Sequence, residues 1–300
     1  MTNDAMMTKP DVGAERFGRV VVVYGGASAE REVSLISGSA ILASLKRSGV
    51  DAIGYDLAES GLPGLQALAP DRVFIALHGG VGEDGTLQGA LSLLEIPFTG
   101  SGVLASALGM DKDLSKSLVA RTGIPVAPYQ LVTYEAWQQD AEGLTRAISE
   151  LRYPLFAKPA NGGSSVGISR AATREDIAGA VAEALRFDRK VLVEQGIDGR
   201  EIECAVLGNF DPQASPLGEI SYTREFYDYE AKYEDRTTQL IAPVELPAEQ
   251  TAQFQAMAVA AFLFHGEDPF AKQELAILYG ACALAVMLLG PGAWSLDARR

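Results

Sequence analysis

"KPANGGSSVGIS", from Lys158 to Ser169, crowds glycine and serine into a short loop directly after the apolar run "PLFA". Gly162, Gly163 and Gly167 carry no Cβ, so the backbone there adopts positive φ readily and brings its N–H groups close against another group. Lys158 stands at the end of the apolar strand, and Ser164 and Ser165 add hydroxyl donors. A point charge and a nest of amides facing one small volume suit a polyphosphate. A hairpin turn uses the same residue types, so the loop has to be read with the chain around it.

The chain has 300 residues, of which 48% are hydrophobic. That is enough to bury a sizeable core, and the length suits two or three domains. A formal charge of −14 repels a phosphate backbone over most of the surface, which argues against nucleic acid as a partner and makes any phosphate site local. Cys204 and Cys282 are too few and too far apart for a disulfide framework, which fits a reducing compartment. The start, "MTNDAMMTKPDVGAERFGR", has no apolar signal core, so the cytoplasm is the expected location.

"RVVVVYGG" (Arg19 to Gly26) reads as a buried parallel strand that feeds a turn, and "SLISGSAILASLKRSG" (Ser34 to Gly49) as the helix after it. "VDAIGYDL" and "RVFIAL" are further strands, so residues 17–110 predict an open α/β domain with ligands at the carboxyl ends of strands. A helix from Asp111 to Thr122 opens a second, α+β unit. Its strand candidates are "LVTY", "PLFAKP", "SSVGIS", "KVLVEQ" and "EIECAVLG", with helices near Tyr134 to Leu151 and Arg174 to Phe187. "GEISYTREFYDYEAKYEDRTTQLIAP" is polar, aromatic and weakly periodic, and is read as a lid. No G-x-x-x-x-G-K-[ST] is present, and "YGGASAE" after the first strand does not satisfy G-x-G-x-x-G, so neither a Walker loop nor the usual dinucleotide fingerprint explains the chain.

The motifs "GGASAEREVS", "ALHGGVGEDGTLQG", "TGSGVLASALGMDK", "KPANGGSSVGIS", "VLVEQGIDGREIECAV" and "EFYDYEAKY" occur in the order and spacing seen in D-alanine:D-alanine ligases, which are ATP-grasp enzymes. The resemblance covers residues 17–262. It implies an α/β, three-part ATP-grasp architecture: a Rossmann-like N-terminal domain (17–110), a small α+β ATP-grasp lobe (111–200) and an incomplete C-terminal lobe (201–262). Residues 1–16 are expected to be disordered. The implied activity is ATP-dependent joining of two D-alanines through a D-alanyl phosphate, for peptidoglycan synthesis, with ATP and Mg²⁺ as cofactors and a homodimer as the assembly.

The resemblance also implies roles. Glu30 holds the ammonium of the first D-alanine by charge-assisted hydrogen bonds; the plainer reading of this residue is a helix N-terminal acid. His78 lies beside the substrates, although a lone histidine is often structural. Lys112 and Lys158 contact the ATP phosphates together with Ser165, and Lys112 alone would pass for a surface lysine. Glu194 takes the adenine amine and Glu201 the ribose hydroxyls, with Gln195 and Ile197 lining the base pocket. Ser164 and Tyr233 hydrogen-bond to Glu30 and close the lid over a water-sensitive acyl phosphate, and Lys232 reaches the γ-phosphate. Gly162 stands where relatives commonly carry a larger side chain, a departure expected to loosen the loop.

After "AMAVAAF" the family continues into strands that bind magnesium, whereas this chain reads "LFHGEDPFAKQELAILYGACALAVMLLGPGAWSLDARR". Glu267, Asp268 and Glu274 lack the accompanying arginine and asparagine, so no metal ligand is assigned and Mg²⁺-dependent ligation is expected to be impaired. The alternatives are a nucleotide-binding but inactive fragment and a membrane-tethered fusion product. Residues 275–296 carry no charged side chain, and the segment resembles the end of DoxX-type membrane proteins. Residues 263–300 are therefore expected to be a non-family tail with membrane contact through 275–296, or a buried helix.

Overall fold

The structure is a computed structural model that describes residues 13–208, 211–221 and 239–266. The chain divides into two units: residues up to His78 with Ala90–Phe98, and Gly79–Gly89 with everything from Thr99 onward.

In the first unit, Val20 to Val23 are buried and form most of β1 (Val20–Tyr24). Stiff β-branched side chains fit a strand covered on both faces. β1 is the central strand, parallel to β2 (Ala52–Asp56) on one side and β3 (Arg72–Ile75) on the other. The connections are α1 (Arg31–Arg47) and α2 (Leu57–Ala67). α1 starts at Arg31 rather than the expected Ser34; its first turn carries Glu32 and its last Lys46 and Arg47, as the helix dipole favours. α2 has no counterpart among the expected elements because Gly61 and Pro63 lie inside it and Gly61 breaks its helical φ/ψ.

Helices α3 (Thr86–Leu93), α4 (Val103–Met110) and α5 (Lys112–Arg121) follow. The main sheet of the second unit runs in the order β4 (Tyr129–Thr133), β7 (Lys190–Gln195), β5 (Leu155–Pro159), β6 (Ser169–Ala171), antiparallel throughout. One face, with Val132, Leu155, Ala157, Val191 and Val193, is buried under α6 (Tyr134–Ile148) and α7 (Ile177–Ala184). Because side chains alternate along a strand, Phe156, Lys158, Leu192 and Glu194 fall on the other face. The register pairs Phe156 with Glu194 and Lys158 with Leu192.

"SSVGIS" is not one strand: Ser164 and Ser165 take φ of +48° and +60°, which turns the backbone out of pairing until Ser169. The positive φ expected of three glycines is found at Gly162 and Gly167, and it passes to these two serines instead of Gly163. "EIECAVLG" divides into β8 (Glu201–Glu203) and β9 (Val206–Leu207). β9 pairs with β10 (Gln213–Ala214), and β8 joins β11 (Gly218–Ser221) and β12 (Gln239–Ile241) in the order β12-β11-β8.

The helix Ala248–Gly266 packs Ala261 against Val119 and Ile124, and Ala258 against Cys204, Val206 and Leu217. It runs continuously across the expected break after residue 262. Among the described residues no helix is long and apolar enough to cross a membrane. Glu267, Asp268, Glu274, Cys282 and the expected membrane contact at 275–296 lie outside the described residues, as do Lys232 and Tyr233.

Candidate functional site

In the first unit, β1 ends at Gly25 and Gly26, with φ of +71° and +73°. A Cβ on Gly25 would stand 2.4 Å from Asp56 Oδ1, so only glycine lets this turn close over the carboxylate. Asp56 accepts from Gly26 N at 3.2 Å and Ala58 N at 3.0 Å, and Arg31 Nη2 donates to it at 2.5 Å. The hydrogen-bonded Arg31 guanidinium holds its carboxyl down to about 2. Buried Ser34 Oγ accepts from Gly25 N at 2.9 Å and donates to Ala76 O at 2.7 Å. These bonds fix the start of α1 against the carboxyl ends of the parallel strands.

Glu30 occupies the N-cap position of α1 without capping it through its side chain. Ser28 Oγ accepts from Glu30 N at 3.2 Å and donates to His78 O at 2.6 Å, while Ser37 Oγ lies 2.8 Å from His78 Nε2. Burial lowers the His78 pKa and the Glu30 charge opposes the fall. The corner therefore sets a carboxylate near an uncharged imidazole, which suits an ammonium.

In the second unit, Asp111 caps α5, accepting from Asp113 N and Leu114 N at 3.1 Å each, and its other oxygen pairs with Lys190. Lys112 N donates to Ala160 O at 3.0 Å, which joins the helix start to the glycine loop. Lys112 and Lys116, four apart, share one helical face. Lys112 Nζ donates to Gly162 O at 2.5 Å. Lys158 Nζ donates to Glu194 Oε2 at 2.6 Å from a diagonal position across β5 and β7. Lys116 Nζ stands 3.3 Å from Glu194 Oε1, an ion pair not aligned as a hydrogen bond, and lies 5.8 Å over the Tyr129 ring.

The electrostatics follow from three lysines around one glutamate. Burial pushes Lys112 down to about 8, with Lys158 adding to the fall. Burial lowers Lys116 as well, against Glu194. Burial works to raise the Glu194 carboxyl, but Lys158 and Lys116 overcome it and its pKa lies below the ordinary value. A cationic cluster beside a loop of bent backbone is fitted to a polyanion. Gly167, at φ +72°, is held where a Cβ would meet the Phe187 ring at 2.5 Å, so the loop is packed closely from behind.

The structure thus brings Lys112, Lys158 and Glu194 together with the loop that carries Ser164 and Ser165. Glu194 spends both oxygens on lysines. Gln195 closes β7, its Oε1 accepting from Arg152 N at 3.3 Å; Ile197 follows in the connection, and Glu201 opens β8. Glu30 and His78 meet in the first unit, whereas Ser164 belongs to the second. Lys116 and Asp111 are site residues that the motifs do not single out, although the spacing of Lys112 and Lys116 in "DKDLSK" signals one shared face. Among the described residues no group of three or more His, Cys, Asp or Glu side chains is placed to hold a metal ion. No chemical step is assigned to a metal ion.

A lysine-lined glycine loop on an antiparallel sheet, in a chain that also carries a parallel β/α unit, defines an α/β enzyme of the ATP-grasp class. Residues 63–101 match the pattern described as D-ala D-ala ligase N-terminus, and residues 118–276 match D-ala D-ala ligase C-terminus. The chain belongs to the D-alanine–D-alanine ligase family. It is 51% identical over 245 residues to the D-alanine–D-alanine ligase of Chromohalobacter salexigens, covering 81% of this chain and 75% of that protein. Its fold is similar to the VanG D-Ala:D-Ser ligase of Enterococcus faecalis, with TM-score 0.69 and 31% identity over 83% and 82% of the two chains. It is likewise similar to the Bacillus anthracis D-alanine–D-alanine ligase complexed with ATP, with TM-score 0.69 and 27% identity over 86% and 79%. The family match runs past the expected limit of 262 to residue 276.

Proposed function

We propose that this chain is an ATP-dependent ligase that joins two D-alanines for peptidoglycan synthesis. The observation that carries the reading is the cluster of Lys112, Lys116 and Lys158 around Glu194 at the glycine loop, a charge arrangement built for a polyphosphate. Lys112 and Lys158 hold the phosphates while charge shifts during phosphoryl transfer, and the loop amides near Ser164 and Ser165 bind the same oxygens. Gln195, Ile197 and Glu201 follow in sequence where a base and ribose would lie. Glu30 and His78 receive the ammonium of the first D-alanine. Mg²⁺ belongs to the reading as an accompanying ion of the nucleotide.

Phosphate release from ATP that depends on D-alanine and Mg²⁺ is the expected result. Saturable ATP binding with no turnover would leave a nucleotide-binding protein, and no affinity for adenine nucleotides would overturn the reading. Replacing the second D-alanine with D-serine or D-lactate in the same assay defines the acceptor. The homodimer implied by the family is checked by light scattering.

A further inference from the structure

His78 is gripped by serine hydroxyls at two points. Its carbonyl accepts from Ser28 Oγ at 2.6 Å, and its Nε2 stands 2.8 Å from Ser37 Oγ. A serine hydroxyl has one proton and two lone pairs, so the group that receives the Ser37 proton decides what the imidazole must do. Ser37 Oγ lies 3.0 Å from Val33 O, one turn back on α1, and 3.3 Å from Ser34 O. Both carbonyls only accept. A Ser37 proton aimed at His78 would leave the Oγ lone pairs facing those two oxygens at contact distance. Back-bonding to the helix removes that repulsion and leaves Oγ an acceptor towards Nε2. Ser34 does not compete for the ring, because its Oγ is engaged by Gly25 N and Ala76 O.

We propose that Ser37 is a positioning residue: by accepting a hydrogen bond from Nε2–H of His78 it selects the tautomer whose Nδ1 holds the lone pair, and so equips the corner beside Glu30 to accept an N–H from the ammonium of an amino-acid substrate. The proposal rests on the reading of this corner as the D-alanine side. Burial supports it, since it favours the uncharged ring over the pull of Glu30. An uncharged ring with the opposite tautomer would carry an N–H at Nδ1 in place of the lone pair, and an N–H cannot accept from an ammonium.

The chain contains 2 histidines, His78 and His265, which makes the test spectroscopic. Nitrogen-15 correlation spectra of the free protein at about pH 8, where an imidazole is neutral, are compared with those of His265→Gln to assign His78. The expected pattern is a pyrrole-type Nε2 and a pyridine-type Nδ1 in the wild-type chain and in Ser37→Thr, whose hydroxyl makes the same bonds. Ser37→Ala is expected to populate both tautomers and to raise KM for D-alanine about tenfold, the equivalent of one neutral hydrogen bond, with KM for ATP unchanged. Ser37→Thr restores the KM. A wild-type ring protonated on Nδ1, or a mixture, overturns the proposal even in an active ligase, and so does an unchanged KM in Ser37→Ala. Should the chain fail to turn over D-alanine, the functional reading falls while the spectra still decide the tautomer. Should Ser37→Ala fail to fold, the wild-type and Ser37→Thr spectra decide it alone.

Discussion

Lys116 Nζ and Glu194 Oε1 face each other at 3.3 Å with their side chains 4% and 3% exposed. Lys158 takes the other oxygen of the same carboxylate at 2.6 Å. One glutamate therefore answers two ammonium groups, and Lys112 bonds to the Gly162 carbonyl instead. The surplus of positive charge sits where water is largely excluded, which strengthens its attraction for an anion.

Removing the shared carboxylate should hurt more than removing either cation. Glu194→Gln strands two buried ammonium groups and is expected to cost about 3 kcal/mol of stability, read from urea unfolding. Lys116→Met leaves Lys158 to neutralise Glu194 and should cost clearly less. The reverse ranking would show that the carboxylate is not shared in this way.

The pH dependence of nucleotide binding should report Lys112. Its folded-state pKa of about 8 lies below the ordinary lysine value of 10.5. Its ammonium is thus lost as pH rises through about 8, and ATP affinity should fall over that interval in calorimetric titrations. The stability sign is opposite: between about 8 and 10.5 the unfolded chain binds more protons, so this group makes the fold more stable as pH rises. Lys112→Gln should flatten both trends, and a wild-type affinity level from neutral pH upward would refute the assignment.

Gly167→Ala places a methyl group 2.5 Å from the Phe187 ring and 2.9 Å from Pro159 Cγ at φ +72°. The expected loss is about 2 kcal/mol from strain at a residue that favours glycine, accompanied by a raised KM for ATP as the loop shifts. Gly162→Ala meets open space and should cost less. Thermal melts and ATP titrations of the two variants make the comparison.

Asp56 ties Arg31, Gly26 and Ala58 together, and its carboxyl pKa is lowered from 3.8 to about 2. A lowered acid contributes stability that is complete above the unfolded value and is lost as pH falls through the folded one. Acid unfolding of the wild-type chain should therefore show this contribution persisting below pH 3.8 and failing near about 2. Asp56→Ala should remove it and cost about 2 kcal/mol at neutral pH, since charged hydrogen bonds are lost.

Elements with a strong local signature are legible in the amino-acid sequence. The valines of β1 and "KVLVEQ" of β7 are buried β-branched runs, and α5 begins and ends within a residue of its expected limits because Asp111 caps it and Gly123 follows it. α2 is hidden by Gly61 and Pro63, whose local preference is overridden by the Asp56 cap and the burial of Leu65. The family's motifs point to Lys158 and Glu194, but their contact arises from the register of β5 on β7, a pairing that spacing along the chain does not encode. Lys116 escapes for the same reason: an exposed-looking lysine on a helix becomes a buried one only when Glu194 and Tyr129 are laid beside it.

Ser164 and Ser165 occupy the left-handed region at φ +48° and +60°, where an L-residue gives up about 1 kcal/mol relative to its ordinary backbone. The fold tolerates this twice in succession, inside the very turn that lies against the lysines. Directed evolution for heat tolerance should therefore gravitate to glycine or asparagine at these positions and lose catalytic proficiency as it does so, since a relaxed turn holds its amides less firmly. Robustness and turnover are set in opposition by two adjacent hydroxyl-bearing residues.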